Sequence, residues 1–245
     1  MQTIKKHALT LLAFFLAFLL LISTLIFIRL YVRELHANKR WMPFNDNFDS
    51  KCYAFQVQNA NLAEGQIVFL GDSITDSYVL DDYYGDLPLA TYNRGISGDT
   101  VTGLQRRLVT SALEIKPKKI VLLIGTNDVS ARHENAEILA TYEDIVKTIR
   151  RELPNTELYC LSLLPRYAGN RDEEETIAEF TRCFLAINDE IRRFTALYDA
   201  TFVDTFALFA DGQDRMPKKY SDDGLHLNDA GYALLSDHLR PYLAQ

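Results

Sequence analysis

The sequence predicts an α/β fold in which helices cover both faces of a parallel sheet. From about residue 63 onward, short apolar runs alternate with longer amphipathic stretches, the pattern of strands that alternate with helices. The apolar runs are rich in Ile, Val and Leu, as expected of strands buried on both faces. Residues 63–245 are numerous enough to form one domain with a substantial core.

Five strands and four long helices are predicted in this region. The strands are expected at 66–70, 89–92, 119–124, 157–161 and 201–203. The helices are expected near 100–114, 134–152, 174–198 and 228–243. Pro117 and Pro154 lie just before strands, where proline ends the preceding helix. Because sites in open parallel sheets form at the carboxyl ends of the strands, residues that follow each strand are the first candidates for chemistry.

The N-terminal residues differ from the rest of the chain. Residues 8–28 are 21 residues without a charge, and as a helix they would span about 30 Å, the thickness of a bilayer's hydrocarbon core. The stretch is apolar all round, unlike a helix of a globular core. A cleaved signal peptide is the alternative, but its apolar region is usually shorter, and no small-x-small cleavage site follows Ile28. We therefore predict one N-terminal transmembrane helix that anchors the chain to a membrane.

Three segments are expected along the chain. Residues 1–36 form the anchor and its flanks, residues 37–62 a juxtamembrane connector, and residues 63–245 the globular domain. Lys5 and Lys6 precede the span and four basic residues follow it, so a positive-inside count favours a cytosolic domain. Long domains can nevertheless be translocated behind an anchor. The side of the membrane stays open, with an extracytoplasmic domain as the expectation.

The charge and cysteine content exclude several classes of function. Residues 41–245 carry 20 Lys and Arg against 32 Asp and Glu, a net charge of −12. This charge argues against a nucleic-acid partner, which requires a basic face, and against docking flat on an anionic membrane. Three scattered cysteines, Cys52, Cys160 and Cys183, do not form a zinc site or a disulfide framework. No obligate protein partner is evident.

The residues after the first predicted strand form the first candidate motif. Residues 71–75 read Gly-Asp-Ser-Ile-Thr. A serine at a strand-to-helix turn exposes its hydroxyl and directs its backbone N–H towards an oxyanion, and the glycine allows a sharp turn. Taken alone, the tripeptide is common in loops, and a simple helix cap is the plainer interpretation of Ser73. Asp72 is expected to organise this loop as an acceptor.

Two further motifs follow the second and third predicted strands. Residues 93–100 read Asn-Arg-Gly-Ile-Ser-Gly-Asp-Thr, a tight loop whose amides can bind an anion, or a turn in which Asp99 caps the next helix. Residues 125–128 read Gly-Thr-Asn-Asp. The side-chain amide of Asn127 can donate to a developing negative charge, and a turn-forming asparagine is the alternative.

Near the C terminus, residues 223–228 read Asp-Gly-Leu-His-Leu-Asn. An Asp and a His three residues apart in a loop allow Asp223 to bind one ring nitrogen of His226, which leaves the other nitrogen as a base. Asn228 is expected to cap the last helix. The four motifs would therefore place a nucleophile, anion-binding groups, a base and its orienting acid at one edge of the sheet.

Two other features have alternative interpretations. His133 could line the mouth of such a site or be an exposed loop histidine. The tyrosine-rich stretch 78–84 could form a substrate wall or simply pack in the core.

This set of motifs resembles the SGNH hydrolases, also called the GDSL esterase/lipase family, over residues 64–245. The matching positions are the block I nucleophile Ser73, the block II glycine Gly98, the block III asparagine Asn127, and the Asp-x-x-His pair Asp223 and His226. The family name expects leucine after the serine, where this chain has isoleucine. This departure removes no chemistry.

The resemblance implies a flavodoxin-like three-layer α/β/α sandwich with a five-stranded parallel sheet. It implies an oxyanion hole formed by the backbone N–H groups of Ser73 and Gly98 and the side-chain amide of Asn127. It also implies a Ser73–His226–Asp223 triad without a metal or an organic cofactor. The expected activity is hydrolysis of short acyl esters of carbohydrates, or of lysolipids, through an acyl-enzyme. An acyltransferase with the same triad and a non-catalytic anchored carbohydrate-binding module are the alternatives.

Overall fold

The computed structural model of the protein describes residues 23–24, 46–167 and 173–245. The described residues from 46 onward belong to one compact unit, and the fold described below is that of this unit. The predicted membrane span at 8–28 falls outside the described residues, apart from Ser23 and Thr24. No helix in the described ranges combines the length and the apolar character needed to cross a bilayer.

A five-stranded sheet forms the centre of the fold. Its strands are β1 (Ile67–Gly71), β2 (Thr91–Gly95), β3 (Lys119–Leu123), β4 (Glu157–Leu161) and β5 (Thr201–Val203). Every pairing is parallel, and the strand order is β2-β1-β3-β4-β5. This is the flavodoxin-like order, in which the chain reverses its direction of winding between β1 and β3 and leaves a crevice there. The predicted parallel α/β fold is confirmed.

Helices cover both faces of this sheet. As a consequence, every residue of β1 and of β3 is buried. The longer helices are α1 (Asp46–Asn59), α4 (Val101–Ser111), α6 (Asn135–Glu152), α7 (Glu174–Leu197) and α9 (Asp229–Leu243). The short helices are α2 (Ser73–Asp76), α3 (Leu80–Tyr84), α5 (Thr126–Ser130) and α8 (Thr205–Phe209), with 3₁₀ turns at Leu113–Ile115 and Lys218–Tyr220. Helix α4 packs against α6, α6 against α7, and α9 against α3.

The predicted strands and long helices agree with the observed ones, and β2 shows the largest difference. This strand begins at Thr91 and continues to Gly95, beyond the predicted end at residue 92. Asn93, Arg94 and Gly95 look like loop residues because they are polar or lack a side chain. They extend the strand because Gly95 pairs with Gly71, and because Arg94 is covered rather than exposed.

Helix α1 lies in the segment predicted as a connector, and it packs on the globular fold. Phe48 and Phe55 on this helix are only 4% and 6% exposed and form a buried cluster with Ile96. The helix also contacts α4. Its sequence lacks the strongly amphipathic pattern of the other long helices, and few of its described side chains are buried. The apolar surface that it covers is contributed by a distant loop and is not evident from the helix sequence.

We expect α1 to be required for the stability of the fold. Deleting residues 1–62 should lower the free energy of unfolding by about 3–6 kcal/mol relative to deleting residues 1–44, since burying one phenylalanine contributes about 1.5–3 kcal/mol. Urea unfolding of the two proteins measures the difference. Equal free energies of unfolding would show that α1 is an accessory helix.

Candidate active site

The predicted nucleophile lies at the tight turn between β1 and α2. Ser73 is the first residue of α2, so its backbone N–H has no acceptor within the helix. Asp72 caps the helix, with its side chain accepting a hydrogen bond of 3.0 Å from the amide of Ile74. Gly71 is required by close packing, because a Cβ atom there would lie 2.5 Å from the carbonyl oxygen of Leu123 on β3. Asp72 is thus the loop-organising acceptor that the sequence predicts.

Ser73 contacts His226, which lies 153 residues further along the chain, and His226 in turn contacts Asp223. The Oγ atom of Ser73 lies 2.9 Å from Nε2 of His226. The other ring nitrogen, Nδ1, lies 2.8 Å from Oδ2 of Asp223. A proton on Nδ1 would be held by the carboxylate, and Nε2 would then accept the serine hydroxyl proton. This is the geometry of a serine nucleophile with its base and orienting acid.

The backbone after Asp223 holds its carboxylate in place. Oδ1 of Asp223 accepts hydrogen bonds from the amides of His226 at 2.8 Å and Leu225 at 2.9 Å. Partial burial raises the pKa of Asp223, but the hydrogen bond from His226 and those from the two amides outweigh burial and hold the pKa well below its ordinary value. The side chain of Asp223 therefore carries a negative charge at neutral pH.

The two predicted anion-binding motifs lie beside Ser73. Gly98 is exposed and has a φ of +82°, a left-handed conformation that glycine adopts without strain. Asn127 lies in the first turn of α5, and its Nδ2 atom donates a 2.8 Å hydrogen bond to the carbonyl oxygen of Asp99. That contact fixes which end of the amide is nitrogen, and the nitrogen carries a second N–H group.

A buried ion pair joins the loops that carry these groups. Nε of Arg107 lies 2.7 Å from Oδ2 of Asp99, and the two side chains are 2% and 0% exposed. The guanidinium also donates to the carbonyl oxygens of Gly71 at 2.9 Å and Arg94 at 2.8 Å. Arg107 thereby links the ends of β1 and β2 to the start of α4. The expectation that Asp99 caps α4 is wrong, since Thr100 is the cap and accepts from the amide of Gly103.

Arg107 lies outside the motifs that predict the site. One signal was available, because position 107 falls on the same face of α4 as the buried residues Leu104, Leu108 and Ser111. A charged residue within an apolar helical stripe must find a partner when it is buried.

Two more acidic side chains lie buried near this sheet edge. Burial raises the pKa of Asp72 to about 7 and that of Asp128 to about 6. Asp128 accepts a 3.1 Å hydrogen bond from the amide of Val101, which ties α5 to the start of α4. Both carboxyls therefore hold a proton more readily than an exposed aspartate does.

These groups open onto a cavity of about 420 Å³. Its lining consists of Ser73, Ser77, Ser97, Gly98, Asn127, Leu225 and His226. His133 does not line it, and lies instead beside Asp128 in a separate cavity that contains Cys183. The tyrosines of stretch 78–84 also stand apart from this lining. Tyr78 and Tyr84 pack in the core with their hydroxyls 2.8 Å apart, so the packing interpretation of the stretch is confirmed.

Comparisons with known proteins identify the family to which the chain belongs. Residues 69–234 match the model of the GDSL-like lipase/acylhydrolase family. The alpha2 subunit of platelet-activating factor acetylhydrolase IB from Bos taurus is 28% identical over 217 residues, which cover 86% of this chain and 87% of the relative. The alpha1 subunit from Rattus norvegicus is 28% identical over 205 residues, covering 82% and 81% respectively.

Solved structures show the same fold. A Streptococcus pneumonia protein, provisionally described as a platelet activating factor, has a TM-score of 0.74 and 29% identity, over 86% of this chain and 99% of its own. An acetylxylan esterase from Geobacillus stearothermophilus, solved as a catalytic mutant, has a TM-score of 0.60 and 22% identity, over 74% and 95% of the two chains. The chain therefore belongs to the GDSL-like lipase/acylhydrolase family, the SGNH hydrolases, and is a carboxylic ester hydrolase.

Proposed function

We propose that the protein hydrolyses short acyl esters through an acyl-enzyme on Ser73. The observation that carries the proposal is the chain of two hydrogen bonds, 2.9 Å from Ser73 to His226 and 2.8 Å from His226 to Asp223. A serine hydroxyl is a weak nucleophile on its own and reacts when an adjacent base removes its proton.

The reaction proceeds in two halves. Nε2 of His226 takes the hydroxyl proton as Oγ of Ser73 attacks the ester carbonyl, and the imidazolium then gives that proton to the departing alcohol. Asp223 stabilises the positive charge on the ring. A water molecule, deprotonated by His226, attacks the acyl-enzyme. The bond from the acyl carbon to Oγ of Ser73 then breaks, the carboxylic acid leaves, and the imidazolium returns its proton to Oγ, which restores the serine hydroxyl.

Three N–H donors stabilise the tetrahedral oxyanion of each half. They are the backbone amides of Ser73 and Gly98 and the second N–H of the Asn127 side chain. The contact between Asn127 and the carbonyl of Asp99 supports this role, because it directs the amide nitrogen in advance and the donor needs no reorganisation during the reaction.

The lining of the cavity supports a small acyl group on a polar alcohol. Among the described lining residues, Leu225 alone has a hydrophobic side chain. A long acyl chain would leave most of its methylenes without apolar contact, and each buried methylene is worth about 0.8 kcal/mol. The relatives whose printed name is acetylhydrolase support an acetyl ester in particular. Acetylated carbohydrates, or lipids that carry an acetyl ester, fit this cavity better than long-chain lysolipids.

Ser73→Ala should abolish hydrolysis of p-nitrophenyl acetate, because the acyl-enzyme cannot form. The wild-type protein should release free acetate, and its kcat/KM should fall as the acyl chain is lengthened to octanoyl. Ser50→Ala, which removes the hydroxyl of an exposed serine on α1, is the matched control and should retain full activity. Turnover by Ser73→Ala would rule out this nucleophile, and a preference for octanoyl would rule out the proposed substrate class.

Asn127→Ala should lower kcat by about 10²–10³ with little change in KM, the usual cost of losing one oxyanion donor. Steady-state kinetics with p-nitrophenyl acetate measures both constants. A thermal unfolding curve shows whether the variant has also lost stability, because the substitution removes the hydrogen bond to Asp99 as well. A rise in KM at constant kcat would place Asn127 outside the oxyanion hole.

We propose that residues 8–28 tether this domain to a membrane and that the domain lies outside the cytoplasm. The length and uniform apolar character of the segment support the tether. Full-length protein should stay in the membrane pellet after alkaline carbonate extraction, and deletion of residues 1–36 should move an active enzyme to the supernatant. Extraction of the full-length protein by carbonate would exclude the tether. Protection of the domain from a protease that has access to every compartment outside the cytoplasm would exclude the extracytoplasmic location.

A further inference from the structure

Helix α1 lies N-terminal to the region matched by the family model, yet it contacts the loop that carries Gly98. The family model begins at residue 69, and α1 ends at Asn59. The loop after β2 runs from Ile96 through Ser97 to Gly98, and its two leading residues are each held by α1, one directly and one through α2.

The first contact is apolar. Ile96 is fully buried and packs with Phe48 and Phe55 of α1, and Cys52 lies against the same cluster. Just before it, the buried Arg94 donates to Oε1 of Gln58 at 2.6 Å and to Oδ1 of Asn59 at 3.0 Å, both at the end of α1. The helix thereby fixes the backbone that enters the loop.

The second contact is polar and passes through Asp76 at the end of α2. Oδ2 of Asp76 accepts two hydrogen bonds from Ser97, one from the amide at 3.1 Å and one from the hydroxyl at 2.7 Å. Oδ1 of Asp76 forms an ion pair with Nζ of Lys51 on α1. Asp76 is 17% exposed and Lys51 33% exposed, so water reaches this pair only in part. The lysine leaves Oδ2 of Asp76 directed at the loop.

We infer that Lys51 and Asp76 are positioning residues that orient the Gly98 amide for the oxyanion. The inference rests on the proposed function and adds to it a dependence on α1. Gly98 is exposed, and a glycine in the left-handed region has no side chain to restrain its peptide groups. The orientation of its amide therefore depends on how the neighbouring residues are held. The amide of Asp99 donates a 3.1 Å hydrogen bond to the carbonyl oxygen of Ile96 and closes the turn, and Asp76 accepts from the amide and the hydroxyl of Ser97. An oxyanion donor must be held to within about 0.5 Å of its productive position.

The test measures kcat and KM of full-length protein in detergent with p-nitrophenyl acetate. Lys51→Met should lower kcat about tenfold with KM within about twofold, less than the 10²–10³ for outright loss of a donor, because the amide is misplaced and not removed. Lys51→Arg should restore kcat to within about twofold of wild type, since the guanidinium can also pair with Asp76. Lys147→Met is the matched control, because Lys147 is also a helical lysine paired with a carboxylate, that of Glu143, 3.2 Å away.

Ser97→Ala provides a second variant with little risk to folding, since it removes one of the two hydrogen bonds that Ser97 donates to Asp76 and leaves the one from the amide. It should lower kcat about threefold, and the double variant with Lys51→Met should show less than the product of the two losses, because both act through the same carboxylate. Fully multiplicative losses would overturn the inference.

The outcomes separate this inference from the proposed function. Absent wild-type hydrolysis, or activity in Ser73→Ala, would contradict the proposed function itself. An active wild type together with a Lys51→Met kcat equal to that of Lys147→Met would overturn the positioning role alone. A loss of kcat that a thermal unfolding curve attributes to unfolded protein, or that Lys51→Arg fails to restore, would also overturn it.

Discussion

The buried ion pair between Arg107 and Asp99 is the constraint on which the site depends. The guanidinium of Arg107 donates hydrogen bonds to the carbonyl oxygens at the ends of β1 and β2. The backbone carbonyl of Asp99 accepts a hydrogen bond from the side chain of Asn127. Removing one member of a buried ion pair costs about 3–5 kcal/mol, because the other charge is left without compensation. The same contacts therefore stabilise the fold and bring three loops to one place.

The chemistry arises from convergence and not from any single motif. A Gly-Asp-Ser turn, a glycine loop and an asparagine after a strand are each ordinary features of α/β proteins. They become a site because β2, β1 and β3 are neighbours in the sheet and all end at the same edge. The loop that carries His226 is 153 residues from Ser73 in sequence, and a contact of 2.9 Å joins the two side chains.

Helix α1, which precedes the sheet in the chain, adds further contacts to the loop that carries Gly98. Its apolar residues cover Ile96, and Lys51 is paired with a carboxylate that also binds Ser97. Burial also raises the pKa of Asp72 and of Asp128, which lie near the same edge of the sheet.

The sequence by itself determined the strands and the long helices α4, α6, α7 and α9, and it predicted the site residues Ser73, Gly98, Asn127, Asp223 and His226. Periodicity and turn chemistry are local properties, and the rule that sites follow strand ends needs only the order of elements. Only the tertiary structure decided the partners of Arg107, the cap of α4 and the place of α1. These depend on which distant segments meet, and that is set by strand order, register and side-chain packing, none of which a local pattern contains.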